Sequence, residues 1–191
     1  MVTTGDAAFA ERVRMLRSHG VTRDRSRFEA MAPDGDAGEW YYEQHALGLN
    51  YRMTDFQAAL GTSQLTRLGD FISRRRAIAA RYHMLLDGLP IQLPSPSGKS
   101  AWHLYVIHVR SDVTVSRRRI FEVMRDAGIG VNVHYIPIHL QPYYRRLGFS
   151  QGDFPNCEAF YAGALSLPIF PAMTAGQQER VVDVLREALG R

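Results

Sequence analysis

Apolar residues recur at helical spacing near the start of the chain. Phe9, Val13 and Leu16 fall on one stripe of residues 7–18, and Gly20 follows as a stop signal. This pattern predicts an amphipathic helix that ends just before Gly20. The first six residues, MVTTGD, read as the end of a strand and a turn that leads into this helix.

Two longer helices are predicted next. Thr54 stands at an N-cap position and Gln57 follows three residues later, which is the sequence of a capping box. Further on, two series of apolar residues recur every seven positions and form one stripe. We expect one helix from Thr54 to Leu68 and a second from about Asp70 to Asp87. The first presents Phe56, Ala59, Leu60 and Ser63 on one face, and the second presents Ile72, Ala79 and Leu86 beside Phe71, Ile78 and Leu85.

Irregular segments flank these helices. Residues 21–38 carry many charges with Gly and Pro, which predicts a long surface loop, and an aromatic patch at Trp40, Tyr41 and Tyr42 follows it. Residues 88–100, GLPIQLPSPSGKS, are rich in Pro, Ser and Gly. They predict a linker and the best internal boundary of the chain.

The last ninety residues show a compact alternation of strand and helix patterns. Short apolar runs predict strands, and apolar residues at helical spacing between N-cap and glycine signals predict helices. We expect strands at 104–109, 130–135 and 165–167. We expect a first helix that is capped by Ser116, ends at Gly128 and buries Ile120, Phe121 and Met124. A short helix at 143–147 and a helix at 154–163, with Phe160 and Ala164 inward, should follow. The last helix should start with a Thr174–Gln177 capping box, end before Gly190 and bury Val181, Val184, Leu185 and Ala188.

Composition narrows the class of protein. The 191 residues are 46% apolar and 22% charged, which is typical of a globular protein. No apolar run approaches the roughly 20 residues of a membrane helix, and no basic stretch followed by an apolar run marks a signal peptide. The single cysteine, Cys157, cannot form an internal disulfide. We therefore expect a cytoplasmic protein with no membrane partner.

The positive charge of the chain is almost entirely arginine. The net charge is +4, and Lys99 is the only lysine. Arginine binds phosphate in a bidentate manner, so this balance suits an anionic small molecule. A basic chain also suits nucleic acid, but the aromatic residues lie mostly on core stripes. We interpret Arg74, Arg75, Arg76 and Arg81 as a solvated helix face.

Three conventional motifs are rejected. Gly98-Lys99-Ser100 lacks the earlier glycine and the following helix of a phosphate-binding loop, so it is part of the linker. Cys157 lies at helical spacing beside aromatic residues and is expected to be a small buried side chain rather than a nucleophile. The histidines have no carboxylate or thiol at ligand spacing, and we predict no metal site.

Two polar segments are better candidates. Asn50, Tyr51 and Arg52 lie just ahead of the Thr54 helix, where free N–H groups and the helix dipole favour an anion. The segment NVHYIPIH, residues 132–139, places two imidazoles and a phenol around a stiff proline turn, which suits hydrogen bonds to sugar hydroxyls or phosphate oxygens. An ordinary loop and a strand end with satisfied polar groups are the plain alternatives.

Four segments in order give a specific resemblance. They are RSHG at 17–20, GLNYRMTDFQAALGTSQL at 48–65, HYIPIHLQ at 134–141 and LSLP at 165–168. Nearly the whole chain resembles the DegT/DnrJ/EryC1/StrS family of pyridoxal-phosphate sugar aminotransferases. Within the family, the chain is most similar to the branch that aminates a UDP-linked 4-keto-6-deoxy sugar on the way to pseudaminic acid.

The resemblance implies an α/β fold class. The chain would be the C-terminal half of a fold type I transferase: the end of the large domain at 1–47, connecting helices at 48–90 and a small C-terminal αβ domain at 91–191. It also implies that the polar segments reach across a homodimer interface into the neighbouring subunit's active site. Glutamate is the implied amino donor.

The resemblance also implies roles for individual residues. Asn50 and Arg52 would contact the phosphate of pyridoxal 5'-phosphate or the nucleotide. Tyr135 and His139 would line the sugar pocket, with His134 beside them. The remaining residues of the implied substrate site are Tyr51, Arg17 and His19.

One functional group of the family has no counterpart in this sequence. Transamination needs a lysine amine that holds the cofactor as a Schiff base. Lys99 lies in a Pro/Ser/Gly linker, which does not suit a buried amine. The expected lysine motif would precede residue 1, so we assign no catalytic residue and expect the chain alone to be inactive, with a complementary N-terminal half as an alternative partner to a second copy. The alternatives are a non-catalytic sugar-nucleotide-binding or dimerisation module and a nucleic-acid-binding protein.

Overall fold

A computed structural model describes residues 2–29, 41–95 and 99–190. The chain divides into two compact units, Met1–Leu65 and Thr66–Arg191. None of the helices in the described ranges combines the length and the hydropathy of a bilayer-spanning segment. Parts of three expectations lie outside the described residues: Trp40 of the aromatic patch, Gly98 of the rejected phosphate-binding loop, and residues 30–38 of the predicted surface loop.

The described residues of the first unit form two α-helices, a 3-10 turn and one pair of short strands. Asp6 caps the first helix, since its carboxylate accepts from the N–H groups of Ala8 and Phe9 at 2.9 and 3.0 Å. The two short strands pair antiparallel, with Val21 opposite Gln44. The elements are α1 (Ala7–Leu16), β1 (Val21–Thr22), a 3-10 turn (Arg25–Arg27), β2 (Glu43–Gln44) and α2 (Asp55–Leu65).

The second unit packs helices on a three-stranded antiparallel sheet of order β3-β4-β5. Ile107 of the central strand stands opposite Leu165, and Tyr105 stands opposite Leu167. The strands are β3 (Ile91–Gln92), β4 (Tyr105–Val109) and β5 (Ala164–Leu167), and the helices are α3 (Leu68–Leu85), α4 (Arg117–Asp126), α5 (Pro142–Arg145), α6 (Pro155–Gly163) and α7 (Ala175–Ala188), with a 3-10 turn at Ile138–Leu140.

The core lies between this sheet and helices α3, α4 and α7. Every second residue of β4 is buried, because side chains alternate between the two faces of a strand. Tyr82 and Tyr105 are fully buried, and the Tyr82 hydroxyl donates to the Pro168 carbonyl at 2.9 Å. Burial raises the pKa of both phenols above the ordinary tyrosine value. The Tyr82 phenol is therefore kept protonated in the core, with a backbone acceptor for its proton.

The helix signals in the sequence are confirmed. Thr54 and Gln57 exchange both bonds of a capping box, at 3.0 and 3.3 Å, and Thr174 and Gln177 do the same at 2.9 and 3.2 Å. Ser116 accepts from the Arg119 N–H at 3.2 Å and starts α4. The predicted buried faces of three helices are present: Ile120 and Met124 in α4, Ala79 and Leu86 in and after α3, and Val181, Leu185 and Ala188 in α7. Phe121 and Val184 are only partly buried, and neither α1 nor α2 contains a buried residue.

Three strand expectations need correction. Residues 130–135 are not a strand, because only Asn132 forms a bridge, opposite Ser166. The predicted linker contains β3, which exists through its pairing of Ile91 with Val109. Residues 2–5 are not in a strand, since Asp6 turns the chain directly into α1.

Two burial expectations are also wrong. Cys157 is exposed and free rather than buried. Phe160 is 49% exposed, although Ala164 is buried as expected, at the start of β5. The reason is that α6 covers the sheet with its C-terminal end: Gly163 lies so close to His108 that an added Cβ would come within 2.6 Å of the imidazole.

The arginine run is a solvated face only in part: Arg74 is exposed as predicted, whereas the other three arginines bind backbone carbonyls. Arg75 donates to the backbone carbonyls of Trp102, His103 and Ile169 at 3.0, 3.3 and 2.9 Å. Arg76 donates to the Ser100 carbonyl at 3.0 Å, and Arg81 binds the Ala175 carbonyl and Glu179 on α7. A guanidinium carries five N–H donors in a fixed fork, so it can satisfy several loop carbonyls at once. Arg75 and Arg76 therefore hold loops against α3, and Arg81 joins α3 to α7.

Candidate functional site

Two of the predicted segments, 17–20 and 48–52, pair with each other in the first unit. The His19 N–H donates to the Leu49 carbonyl at 3.0 Å, and the Tyr51 N–H donates to the Arg17 carbonyl at 2.9 Å. These bonds place Ser18 directly opposite Asn50 in an antiparallel bridge. In such a pair the Cα atoms are about 4.5 Å apart. Two motifs that are distant in sequence therefore form one continuous surface.

The close approach depends on two glycines. A Cβ added to Gly48 would lie 2.2 Å from the Gly20 nitrogen and 2.6 Å from the Leu16 carbonyl oxygen. Gly20 has φ +71°, and a Cβ there would lie 1.8 Å from the Ala46 carbonyl oxygen. His19 also has a positive φ, and its carbonyl accepts from the Gln44 amide at 2.9 Å. We call the place where residues 17–20 pass residues 48–52 the crossing, and its backbone leaves no room for a side chain at either glycine.

The crossing presents a polar surface just ahead of α2. Arg17, His19, Asn50, Tyr51 and Arg52 are all exposed wholly or in part, and the Tyr51 side chain is 76% exposed. The capped N-terminus of α2 begins two to three residues later. An amide, a phenol and guanidinium groups beside a helix N-terminus are donors to an anion, and arginine suits phosphate geometry.

His134 and Tyr135 lie beside β5 in the second unit. Asn132 and Ser166 exchange backbone bonds at 3.3 and 2.8 Å, which brings the segment after Ile129 alongside the strand. The His134 Nδ1 lies 2.8 Å from the Ser166 hydroxyl. Tyr135 is 74% exposed, and its ring packs edge-on against the imidazole at 4.7 Å. The phenol is thus the accessible group of this pair.

His139 lies in the 3-10 turn and is buried. Its Nε2 lies 2.8 Å from Glu158 of α6, and the same carboxylate oxygen accepts from the Gly152 N–H at 2.8 Å. The hydrogen bond from His139 is the main cause that lowers the pKa of Glu158 below its ordinary value, followed by the Gly152 bond. Glu158 therefore joins the 134–141 segment to the loop before α6.

Sequence reasoning missed Glu158. In the sequence, Glu158 is only an acidic residue in the first turn of a helix, where its charge interacts favourably with the helix dipole. That position does not indicate His139 as its partner. It also missed an apolar cavity of about 360 Å³ next to the buried imidazole. The cavity is lined by Ile138, His139, Tyr144, Phe149, Phe154 and Cys157.

The two imidazoles of NVHYIPIH therefore have different surroundings. His134 is bonded to β5, and His139 is bonded to α6 and faces an aromatic cavity. Within the residues that the structure describes, no group of three or more His, Cys, Asp or Glu side chains could hold a metal ion. Arg17, His19, Asn50, Tyr51 and Arg52 share the first unit, while His134, Tyr135 and His139 share the second.

Comparison with known proteins identifies the class to which this fold and these segments belong. The family model for DegT/DnrJ/EryC1/StrS aminotransferases matches residues 1–186. The chain therefore belongs to the DegT/DnrJ/EryC1/StrS aminotransferase family, whose members depend on pyridoxal phosphate.

Individual relatives make the similarity more specific. The chain is 37% identical over 193 residues to the spore coat polysaccharide biosynthesis protein SpsC of Bacillus subtilis (strain 168), across 98% of this chain and 48% of that protein. It matches PseC of Helicobacter pylori, an aminotransferase involved in the biosynthesis of pseudoaminic acid, with a TM-score of 0.84 and 25% identity, across 98% of this chain and 47% of PseC. It matches the PLP form of the putative sugar aminotransferase Spr1654 from Streptococcus pneumoniae with a TM-score of 0.82 and 26% identity, across 98% and 45% of the two chains.

These matches confirm the predicted fold class. A mixed helix and small-sheet structure of this kind superimposes on about half of each sugar aminotransferase chain. The chain likewise spans about half the length of the curated relatives that it matches.

Proposed function

We propose that this chain forms the substrate-positioning part of a pyridoxal-phosphate-dependent aminotransferase that acts on a nucleotide-linked 4-keto-6-deoxy sugar. The observation that carries the proposal is the glycine-dependent crossing of residues 17–20 with 48–52, which gathers arginine, amide and phenol groups ahead of α2. Membership of the sugar aminotransferase family supplies the reaction class. Glutamate is the proposed amino donor.

Asn50 and Arg52 are the proposed phosphate contacts. Both are exposed, and the backbone that carries them is anchored by the Ser18–Asn50 bridge and by the Tyr51–Arg17 bond. An anchored guanidinium loses less conformational freedom when it binds a phosphate than one on a free loop, and its charge-assisted bonds are strong. Arg17, His19 and Tyr51 are proposed to contact the rest of the nucleotide.

Tyr135 and His139 are the proposed sugar contacts, with His134 beside them. The exposed phenol can donate to or accept from a sugar hydroxyl. His139 adjoins an apolar cavity, which suits the 6-deoxy methyl group of such a sugar, because a methyl group gains free energy on leaving water. The exposed phenol of Tyr135 and the apolar cavity beside His139 support this part of the proposal.

The cofactor fits the residues of this chain only in part. When bound, pyridoxal phosphate supplies the carbonyl carbon and the electron-withdrawing ring for amino transfer. The donor set of Asn50 and Arg52 suits its phosphate. Lys99 is the only amine on a side chain, and it is exposed in a turn, so nothing holds it as a pre-organised, desolvated base. The proposal therefore gives the covalent lysine role to no residue of this chain.

The similarity to PseC, an aminotransferase of pseudoaminic acid biosynthesis, supports a substrate of that route, and we propose that this substrate is UDP-linked. A homodimer, or a complementary half, would complete the active site. In this proposal the two polar segments serve the site of the assembled enzyme. The function would then depend on Arg52 much more than on arginines elsewhere on the same unit.

The first experiment measures binding of UDP-N-acetylglucosamine, a commercially accessible nucleotide sugar, to the full chain by calorimetry. Arg52→Ala should raise the dissociation constant about 10-fold to 100-fold, because one charge-assisted hydrogen bond contributes about 1.5–3 kcal/mol to binding. Arg23→Ala, at another exposed arginine of the first unit, is the matched control and should bind as the unaltered chain does. Equal binding by the Arg52 and Arg23 variants would contradict a contact of Arg52 with the nucleotide phosphates.

A second experiment tests the assignment of the lysine. The chain and its Lys99→Arg variant are incubated with pyridoxal phosphate and glutamate, and formation of 2-oxoglutarate and pyridoxamine phosphate is compared with the protein-free mixture. Separate samples without glutamate are dialysed and then reduced with borohydride. We expect no half-transamination above the protein-free rate from either protein and no reduced adduct after dialysis. Half-transamination by the chain that Lys99→Arg abolishes would overturn the assignment.

A further inference from the structure

Ser166 is a buried hydroxyl inside an apolar strand. It lies in the LSLP segment, is 4% exposed and is flanked by Leu165 and Leu167, both of which belong to the core. A buried hydroxyl without a partner is unfavourable by about 1–3 kcal/mol. Its partner across the bridge is the imidazole of His134, whose Nδ1 lies 2.8 Å from the hydroxyl oxygen.

The other imidazole nitrogen faces Asn132. The Asn132 amide nitrogen lies 3.4 Å from the His134 Nε2, and the amide oxygen accepts from the Val133 N–H at 2.8 Å. The Val133 bond fixes the orientation of the amide, because turning the amide around would place two donors against each other. The NH₂ group of Asn132 therefore points at Nε2 and favours an acceptor there.

These two contacts favour one tautomer of His134. If Nε2 accepts from the amide, the proton of a neutral imidazole lies on Nδ1 and is donated to the Ser166 oxygen. Both ring nitrogens are then occupied by Asn132 and Ser166. His134 has no nitrogen left for a sugar hydroxyl, whereas its ring face still supports the exposed Tyr135.

We infer that Asn132 and Ser166 are positioning residues that hold His134 in its Nδ1–H tautomer, and that His134 acts by orienting the phenol of Tyr135 rather than by contacting the ligand. The inference rests on the proposed function, in which Tyr135 contacts the sugar. It divides the predicted pair into one residue that binds and one that orients, and it gives the buried serine of the LSLP segment a role.

The test is the ¹⁵N spectrum of the His134 ring in the full, labelled chain at neutral pH. Two-bond couplings distinguish the nitrogens, because Nε2 couples to both carbon-bound ring protons and Nδ1 strongly to only one. We expect a protonated Nδ1 and an unprotonated Nε2. An imidazole with its proton on Nε2, or with protons on both nitrogens, would overturn the inference.

Two variants make the assignment more stringent. Asn132→Asp replaces the NH₂ donor with an acceptor, so the Nε2 signal should move from the unprotonated to the protonated position. Ser166→Ala removes the Nδ1 partner, so the ring should show a mixture of tautomers and the Tyr135 ring protons should shift; Ser166→Thr, which keeps the hydroxyl, should restore the single tautomer. Ser73→Ala, at an exposed serine of α3, is the control and should change neither spectrum.

The proposed function is tested separately in the same samples. Addition of UDP-N-acetylglucosamine should shift the Tyr135 ring protons and leave both His134 nitrogens in place. If Tyr135 does not respond while the Nδ1–H tautomer is present, the sugar-site role fails and the positioning of His134 stands. A ligand-dependent change at His134 Nε2 would show direct contact and would refute the inference itself.

Discussion

Gly48→Ala should open the crossing on which the proposed phosphate site depends. The added methyl group would meet three backbone atoms: the Gly20 nitrogen at 2.2 Å, the His19 carbonyl carbon at 2.6 Å and the Leu16 oxygen at 2.6 Å. Backbone atoms cannot rotate away as the end of a flexible side chain can. The two segments must therefore separate, and the bonds between them must lengthen or break.

The size of the effect follows from the cost of overpacking. Inserting a methyl group where no space exists is unfavourable by about 1–3 kcal/mol. Two of the backbone bonds that hold this crossing run from His19 to Leu49 and from Tyr51 to Arg17. Local opening releases the amides of both. Because about 1.4 kcal/mol is a factor of ten in an equilibrium constant, their exchange should accelerate about 5-fold to 150-fold.

The assay is amide hydrogen exchange followed by mass spectrometry. The peptides that contain His19 and Tyr51 should exchange faster in the Gly48→Ala protein, while peptides from β4 in the second unit should keep their protection. The same variant should weaken binding of UDP-N-acetylglucosamine, since the backbone that carries Arg52 is no longer anchored. Both measurements use the full chain.

Gly61→Ala is the matched control. Gly61 lies inside α2, and a methyl group added there would have no atom within 4 Å, so alanine is accommodated. Alanine is favoured over glycine inside a helix by about 1 kcal/mol, so this variant should slow exchange in α2 and leave the crossing unchanged. If Gly48→Ala left exchange at His19 and Tyr51 as slow as in the Gly61→Ala protein, the packing argument for the site would be refuted.

Two further predictions concern the second unit. Arg75→Met should lower the free energy of unfolding by about 2–4 kcal/mol in urea titrations, because three loop carbonyls lose a charged donor. Arg74→Met, at the neighbouring exposed position, is the control and should change the free energy of unfolding by less than about 0.5 kcal/mol. Equal effects of the two substitutions would restore the interpretation of Arg75 as part of a solvated face. The lowered pKa of Glu158 means that its contribution is complete above the pKa of an unfolded glutamate and is lost as the pH falls through the folded value. Glu158→Gln should therefore make the urea midpoint less sensitive to acid, whereas Glu187→Gln should not, and an unchanged acid dependence in Glu158→Gln would contradict the assignment.

The helices could be predicted from the sequence because their signals are local. The capping boxes at Thr54 and Thr174 involve side chains and N–H groups within three residues of one another. The buried stripe of α7 likewise repeats within a single element. Such patterns carry their own evidence, so their boundaries were predicted to within a few residues.

The strands were predicted less well because two-residue strands are defined by their partners. Ile91 and Gln92 form β3 only because they pair with Val109 and His108. Residues 130–135 have the composition of a strand, but Val133 binds the Asn132 side chain and the chain then turns away from β5 after one bridge. Composition alone does not record where a partner strand ends.

The arginines of α3 show the same limitation in charged residues. A run such as Arg74–Arg76 has the pattern of a solvated surface, and Arg74 is exposed as that pattern predicts. Arg75 instead reaches carbonyls at Trp102 and Ile169, which are close to it only after the sheet has formed. Periodicity gives the direction of a side chain but not the unsatisfied acceptors that it will find there.

The candidate site depends on both kinds of information. The anion-binding character of Asn50 and Arg52 could be predicted from the residue types ahead of a helix. Their pairing with residues 17–20 could not, although Gly20 and Gly48 are a signal in retrospect, because each permits a close backbone contact between the two segments and the residues beside them. The local sequence pattern indicates only a helix stop at Gly20, which is half of its role.

Polar residues inside apolar runs are the most informative signal that remained unused. Ser166 interrupts a buried strand, and His139 is buried in a turn, so each must have a polar partner within reach. Ser166 has the imidazole of His134 as its partner, and His139 has the carboxylate of Glu158. Because His134 and His139 lie in one segment, the two bonds fix both ends of the turn between them, and Tyr135 and Ile136 are held outward at the surface. The exposed part of the proposed sugar site is thus positioned by hydroxyl and carboxylate groups that never need to touch the sugar.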